Sequence, residues 1–77
     1  KNRERVLQFI LANGEGYAKE ISDFYGTSLD PIQKQLEKME LGGVLVNKKV
    51  GRTRLFMFNP RYAFLNELKA LLEKARS

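Results

Sequence analysis

At Gly42 and Gly43 the spacing of apolar residues changes period, and that change limits the possible folds more than any other feature of the chain. Upstream of it, apolar residues recur three or four positions apart, the repeat of one helical face. Over residues 28–41, Leu29, Ile32, Leu36 and Met39 form such a stripe, with Ser28 at a capping position, Asp30 in the electropositive first turn and Pro31 early enough to leave the hydrogen-bond ladder intact. The preceding "YAKEISDFYG" sets Tyr17, Ile21, Phe24 and Tyr25 on a helical face and stops at Gly26, a residue able to take φ > 0 past a helix end. Before that, "NRERVLQFILANG" pairs Val6 with Ile10 and Leu7 with Leu11 until Gly14 and Gly16 interrupt it. Downstream, "VLVNKKV" and "TRLFMF" are β-rich runs around Gly51 and predict a hairpin over 44–58. Asn59 and Pro60 close it, and "RYAFLNELKALLEKARS" returns to helical spacing at Leu65, Leu68, Leu72 and Ala75, with Phe64 and Leu71 widening the stripe. The expected architecture is therefore mainly α with a small β-hairpin, in the order α-α-α-β-β-α, as one domain over 1–77 whose last helix covers about 61–76.

Charge is distributed as unevenly as period. The chain has 14 Lys+Arg against 9 Asp+Glu, and setting aside Lys48, Lys49, Arg52, Arg54 and Arg61 leaves nine of each sign. The whole excess thus lies in and just beyond the hairpin. No acid occurs between Glu40 and Glu67, so no carboxylate close in sequence neutralises it. An anionic partner is one reading; lysines that discourage edge-to-edge sheet pairing are the other.

Three helices, the second and third joined by a short turn containing Gly26, followed by a two-stranded basic hairpin, make a winged helix-turn-helix. At this level the segment "IQKQLEKMELGGVLVNKKVGRTRLFMFNPRY" resembles the corresponding region of ArsR-like winged helix-turn-helix transcriptional regulators, with "KEIS" at the first helix of the turn and "GR" and "NP" at Gly51–Arg52 and Asn59–Pro60. The resemblance implies duplex-DNA binding in transcriptional regulation, as a repressor that excludes polymerase. It places the helix of 28–41 in the major groove and the wing of 44–58 on the backbone or in the adjacent minor groove. Metal-sensing members of that family use Cys or His clusters; this chain has neither, and that role is not carried over.

Helical geometry turns Asp30, Gln33, Lys34, Glu37 and Lys38 outward when the stripe of the third helix is inward. Gln33 suits an adenine edge and Lys34 a guanine edge, so these two are the expected base readers. Lys38, Lys48, Lys49, Arg52 and Arg54 are expected at phosphates or the minor groove, and Ser28 either there or as a structural cap. Asp30 and Glu37 cancel Lys34 and Lys38, which weakens this face as a phosphate attractor and keeps open a second class of function, a protein-interaction module docking an acidic partner or a neighbouring enzyme. The aromatic residues, at helical or alternating spacing, are expected in the core rather than as a stacking surface for single strands. Surplus apolar residues at Phe64, Leu65, Leu68, Leu71 and Leu72 predict a homodimer joined through the last helix, with help from the first.

Several functions are disfavoured by what the chain contains. With zero Cys and zero His it has neither thiolate ligands nor the usual general base, and no nucleophile stands at motif spacing from a base, so neither an enzyme nor a cofactor or metal site is expected. Apolar runs are too short to span a bilayer, no signal core is visible, and a cytoplasmic location is expected.

Overall fold

The structure, a computed structural model, describes residues 2–76. Its elements are α1 (Asn2–Asn13), β1 (Gly16–Tyr17), α2 (Ala18–Tyr25), α3 (Leu29–Leu41), β2 (Leu45–Val50), β3 (Thr53–Phe58) and α4 (Leu65–Arg76). The sheet is antiparallel with strand order β1-β3-β2. This is the expected winged helix-turn-helix, with one strand more than the alternation of period disclosed. No helix among the described residues is long and apolar enough to cross a membrane.

The core forms where the helical stripes meet the inner face of the wing. Val6 and Ile10 of α1, Ile21 of α2, Ile32 and Leu36 of α3 and Leu45 of β2 are the fully buried side chains, joined by Leu7, Phe9, Met39, Phe56 and Leu72. Burying each such side chain stabilises the fold by roughly 1.5–3 kcal/mol before the entropy of ordering it is counted. α1 packs against both α3 and α4, and the Gln8 Nε2 donates to the Leu72 carbonyl at 2.8 Å to tie the first helix to the last.

Three local outcomes differ from the periodicity. Tyr17, expected on the face of the second helix, belongs instead to β1, where it pairs with Leu55 while Gly16 pairs with Phe56. Its backbone N–H donates to Glu20 Oε1 at 3.3 Å, so the chain turns directly from strand into α2. Phe24 and Leu29, expected inward, are exposed. α2 is only eight residues long, and Ile21 and Ser22 occupy its inner side. Phe24, 69% exposed, is left edge-on against Phe9 at 5.5 Å and Tyr25 at 4.9 Å. α4 begins at Leu65 rather than near 61, because the preceding residues form a turn built on Asn59. Asn59 donates from Nδ2 to the Gly43 carbonyl at 2.9 Å, its Oδ1 accepts from the Arg61 N–H at 3.0 Å, and its carbonyl accepts from the Tyr62 N–H at 3.0 Å.

The wing register decides which way each charge faces. Leu45 pairs with Phe58, Asn47 with Phe56 and Lys49 with Arg54, all on the core side of the sheet. Val46 with Met57, Lys48 with Leu55 and Val50 with Thr53 share the other side. Asn47 Nδ2 donates to Glu40 Oε2, which fixes the base of the wing to the end of α3. At the tip, Gly51 and Arg52 form a two-residue connection in which Gly51 has φ +62° and no residue but glycine has positive φ among those described. A glycine at the first central position is the requirement of a type II′ hairpin turn. Gly51→Ala is expected to cost about 1 kcal/mol through the positive φ, seen as a Tm lowered by about 4–8 °C in thermal unfolding.

Candidate nucleic-acid interface

α2 and α3 meet through the turn Gly26–Ser28. Gly26 caps α2 in the left-handed region, φ 64° and ψ 36°, and Thr27 N–H donates to the Ser22 carbonyl at 2.9 Å, so the chain reverses sharply enough to present α3 across α2. Ser28 occupies the N-cap of α3 in extended conformation, yet its hydroxyl makes no capping hydrogen bond. The structural role expected for that hydroxyl is therefore unfilled, and it stands exposed at the electropositive helix start.

Between α3 and the wing lies an open cleft of about 430 Å³. Its walls are Leu29, Gln33 and Glu37 of α3, Arg52, Thr53, Arg54 and Phe56 of the wing, and Tyr17, Ala18 and Lys19 at the entrance to α2. Gln33 is thus brought to the same space as the two wing arginines. Lys34 is not; it lies on the exposed side of α3, where its Nζ is 3.3 Å from Asp30 Oδ2. An exposed i, i+4 pair of this kind contributes little to stability and yields readily to a competing anion. Lys38 is exposed in the last turn of α3.

The wing cations are free. Among the described residues, Lys48, Lys49, Arg52 and Arg54 make no ion pair and no side-chain hydrogen bond; Lys19–Asp23 and Lys34–Asp30 are ion pairs that lie elsewhere. All four are exposed. The register divides them: Lys49 and Arg54 stand directly opposite each other on the side of the sheet that continues toward α3, Lys48 points to the other side beside Leu55, and Arg52 is at the tip. Like charges directly across a sheet repel. Sequence reasoning placed these cations at the tip but did not separate the two faces, and it passed over Tyr17, Lys19, Thr53 and, as a contact, Glu37. For Glu37 the signal was present, since it is one helical turn from Gln33.

A second surface runs along α1 and α4. A shallow groove of about 340 Å³ is lined by Arg3, Glu4 and Leu7 of α1 and by Leu68, Leu71, Leu72 and Ala75 of α4. Of the residues expected at a dimer interface, Leu72 is consumed by the core of this chain and Leu65 and Leu68 are half-buried. Phe64 and Leu71 are 62% and 65% exposed.

A helix-turn-helix followed by a cation-bearing hairpin, closed by a further helix, defines the winged helix-turn-helix class of protein fold. Among solved structures the chain is similar to a double mutant of ZitR from Lactococcus lactis in apo form, with TM-score 0.71 and 15% identity over 96% of this chain and 59% of that one. It is also similar to reduced HlyU from Vibrio cholerae N16961, with TM-score 0.68 and 20% identity over 94% of this chain and 73% of that one. No protein-family model and no curated protein matches the sequence.

Proposed function

We propose that this chain is the DNA-reading part of an ArsR-like transcriptional regulator, a repressor that binds specific duplex sequences with α3 in the major groove and the wing on the backbone or minor groove. The likeness to ZitR and HlyU supports the regulator role. The observation that carries DNA as the ligand is the unneutralised pair of Lys49 and Arg54, opposed across the wing without a carboxylate partner among the described residues. A phosphate held between them turns a repulsive pair into an attractive set of three charges. Arg52 extends the same contact to the tip, where an arginine also suits a narrow A·T-rich minor groove. Ser28 and the free N–H groups at the start of α3 add a neutral phosphate contact, and Gln33 faces the bases. Lys34, once released from Asp30, serves the groove rim.

Titration against duplex DNA at several salt concentrations tests this. Log affinity is expected to fall linearly with log salt; a flat response overturns the reading and leaves an acidic protein partner for the wing.

The assembly we propose is a two-fold dimer through the α1–α4 groove, with Phe64 and Leu71 supplying the apolar contact and presenting two α3 helices about one DNA turn apart. Leu71→Glu is expected to convert the dimer to a monomer in light scattering at micromolar concentration; the monomer stays folded, because Leu71 is exposed in the single chain, and its Tm loses only the concentration-dependent part that dimerisation supplied. A wild-type protein already of one-chain mass contradicts the dimer.

A further inference from the structure

We infer that Glu37 reads the exocyclic amine of a cytosine in the major groove and so sets part of the sequence preference of α3, an inference that rests on the DNA-binding reading above. Glu37 and Gln33 both line the cleft between α3 and the wing. Four residues apart on a helix, they share a face and are separated by about 6 Å along its axis. Successive bases on one strand are about 3.4 Å apart, so the two side chains address positions one or two steps from each other.

The chemistry of the position is unusual for a cationic cleft. Glu37 makes no ion pair among the described residues, although Arg52 and Arg54 line the opposite wall and Lys38 is its neighbour in sequence. Lys34, one turn before it, is engaged by Asp30 at 3.3 Å. Carboxylate and guanidinium groups thus line one cleft without an ion pair between them. A free carboxylate there repels the phosphates that the wing attracts, so it is accommodated only where the groove floor offers a hydrogen-bond donor. Cytosine's own major-groove edge presents N4–H₂ and no acceptor, the neighbouring acceptors belonging to its paired guanine. Adenine has its N7 acceptor next to the N6 amine, guanine shows two acceptors, and thymine an acceptor and a methyl group. A carboxylate is therefore matched to cytosine and mismatched to the other three, while Gln33, with both a donor and an acceptor, is matched to adenine.

The test compares wild type with Glu37→Gln on a randomised duplex library at fixed salt, with thermal unfolding to show that both are folded. Wild type is expected to enrich cytosine at one position and adenine one or two steps away. In Glu37→Gln the preference for cytosine should fall at least about fivefold, the low end of what one base contact discriminates, while the adenine preference and the salt slope persist. Two results overturn the inference: wild type without a cytosine preference, or a variant that binds all duplexes more tightly in the same proportion, which makes Glu37 a brake on non-specific binding. The parent reading fails differently, through a salt-independent wild type that is indifferent to loss of Arg52 and Arg54, and that result removes both.

Discussion

Replacing Arg52 and Arg54 together by alanine is expected to weaken binding to every duplex about tenfold or more at low salt and to flatten the log–log salt dependence by about two. The effect is large because the two guanidinium groups are uncommitted: each is exposed, neither is paired with a carboxylate among the described residues, and both line the cleft that α3 shares. Nothing is lost from the folded chain when they go. The variant should melt at or slightly above the wild-type temperature, since removing Arg54 also removes its repulsion with Lys49. Gln33→Ala differs in kind, expected to blur sequence preference and leave the salt slope intact, because a base contact carries discrimination and a phosphate contact carries counterion release. Wild-type affinity in the double variant removes the wing from the interface.

Gly16→Val is expected to destabilise the domain by about 2–3 kcal/mol, at the upper end of what overpacking usually costs. A Cβ on Gly16 meets the Phe9 ring at 2.9 and 3.0 Å and Ile21 Cδ1 at 3.2 Å. Phe9 and Ile21 are buried, so neither side chain is free to swing away, and valine adds two further carbons. Gly16 also pairs with Phe56 in β3, so backing the strand out of the clash breaks the junction between β1 and the wing. For a domain of this size the loss is a large part of the total stability, of order 5–10 kcal/mol. It reads out as a denaturant midpoint shifted down, and because Tyr17 and Lys19 follow directly, DNA affinity should drop with it. Unchanged stability indicates that Phe9 relocates without cost.

The helices were legible in the sequence where a stripe and a terminator agree. In α3 the inward positions Ile32, Leu36 and Met39 and the stop at Gly42 were given by spacing alone, and Gly26 takes the positive φ that its position after α2 suggested. Spacing failed at the margins. Leu29 has the periodicity of the stripe but sits in the first turn of α3, exposed, where it lines the cleft instead of the core. Tyr17 has the periodicity of α2 but lies in a strand whose existence depends on pairing with Leu55 and Phe56, remote in sequence, and no local pattern encodes a two-residue strand. At the candidate site, the identity of the cations was plain from the charge count, whereas Gln33 and Lys34 are alike in spacing and only the structure separates them, Gln33 lining the cleft and Lys34 lying outside it beside Asp30.

By itself the sequence determined the helix-helix-helix-hairpin-helix order, the inward stripes and the concentration of positive charge between residues 48 and 61, because period, glycine position and net charge are properties of neighbours along the chain. Only the tertiary structure decided that Lys49 faces Arg54, that β1 docks on β3 through a glycine without room for a side chain, that Leu72 is spent on the core while Leu71 is not, and that Glu37 shares a cleft with two arginines. Those facts depend on register and on the packing of elements remote in sequence. A slip of one residue in strand register moves every side chain of that strand to the opposite face without altering the pattern that a sequence displays.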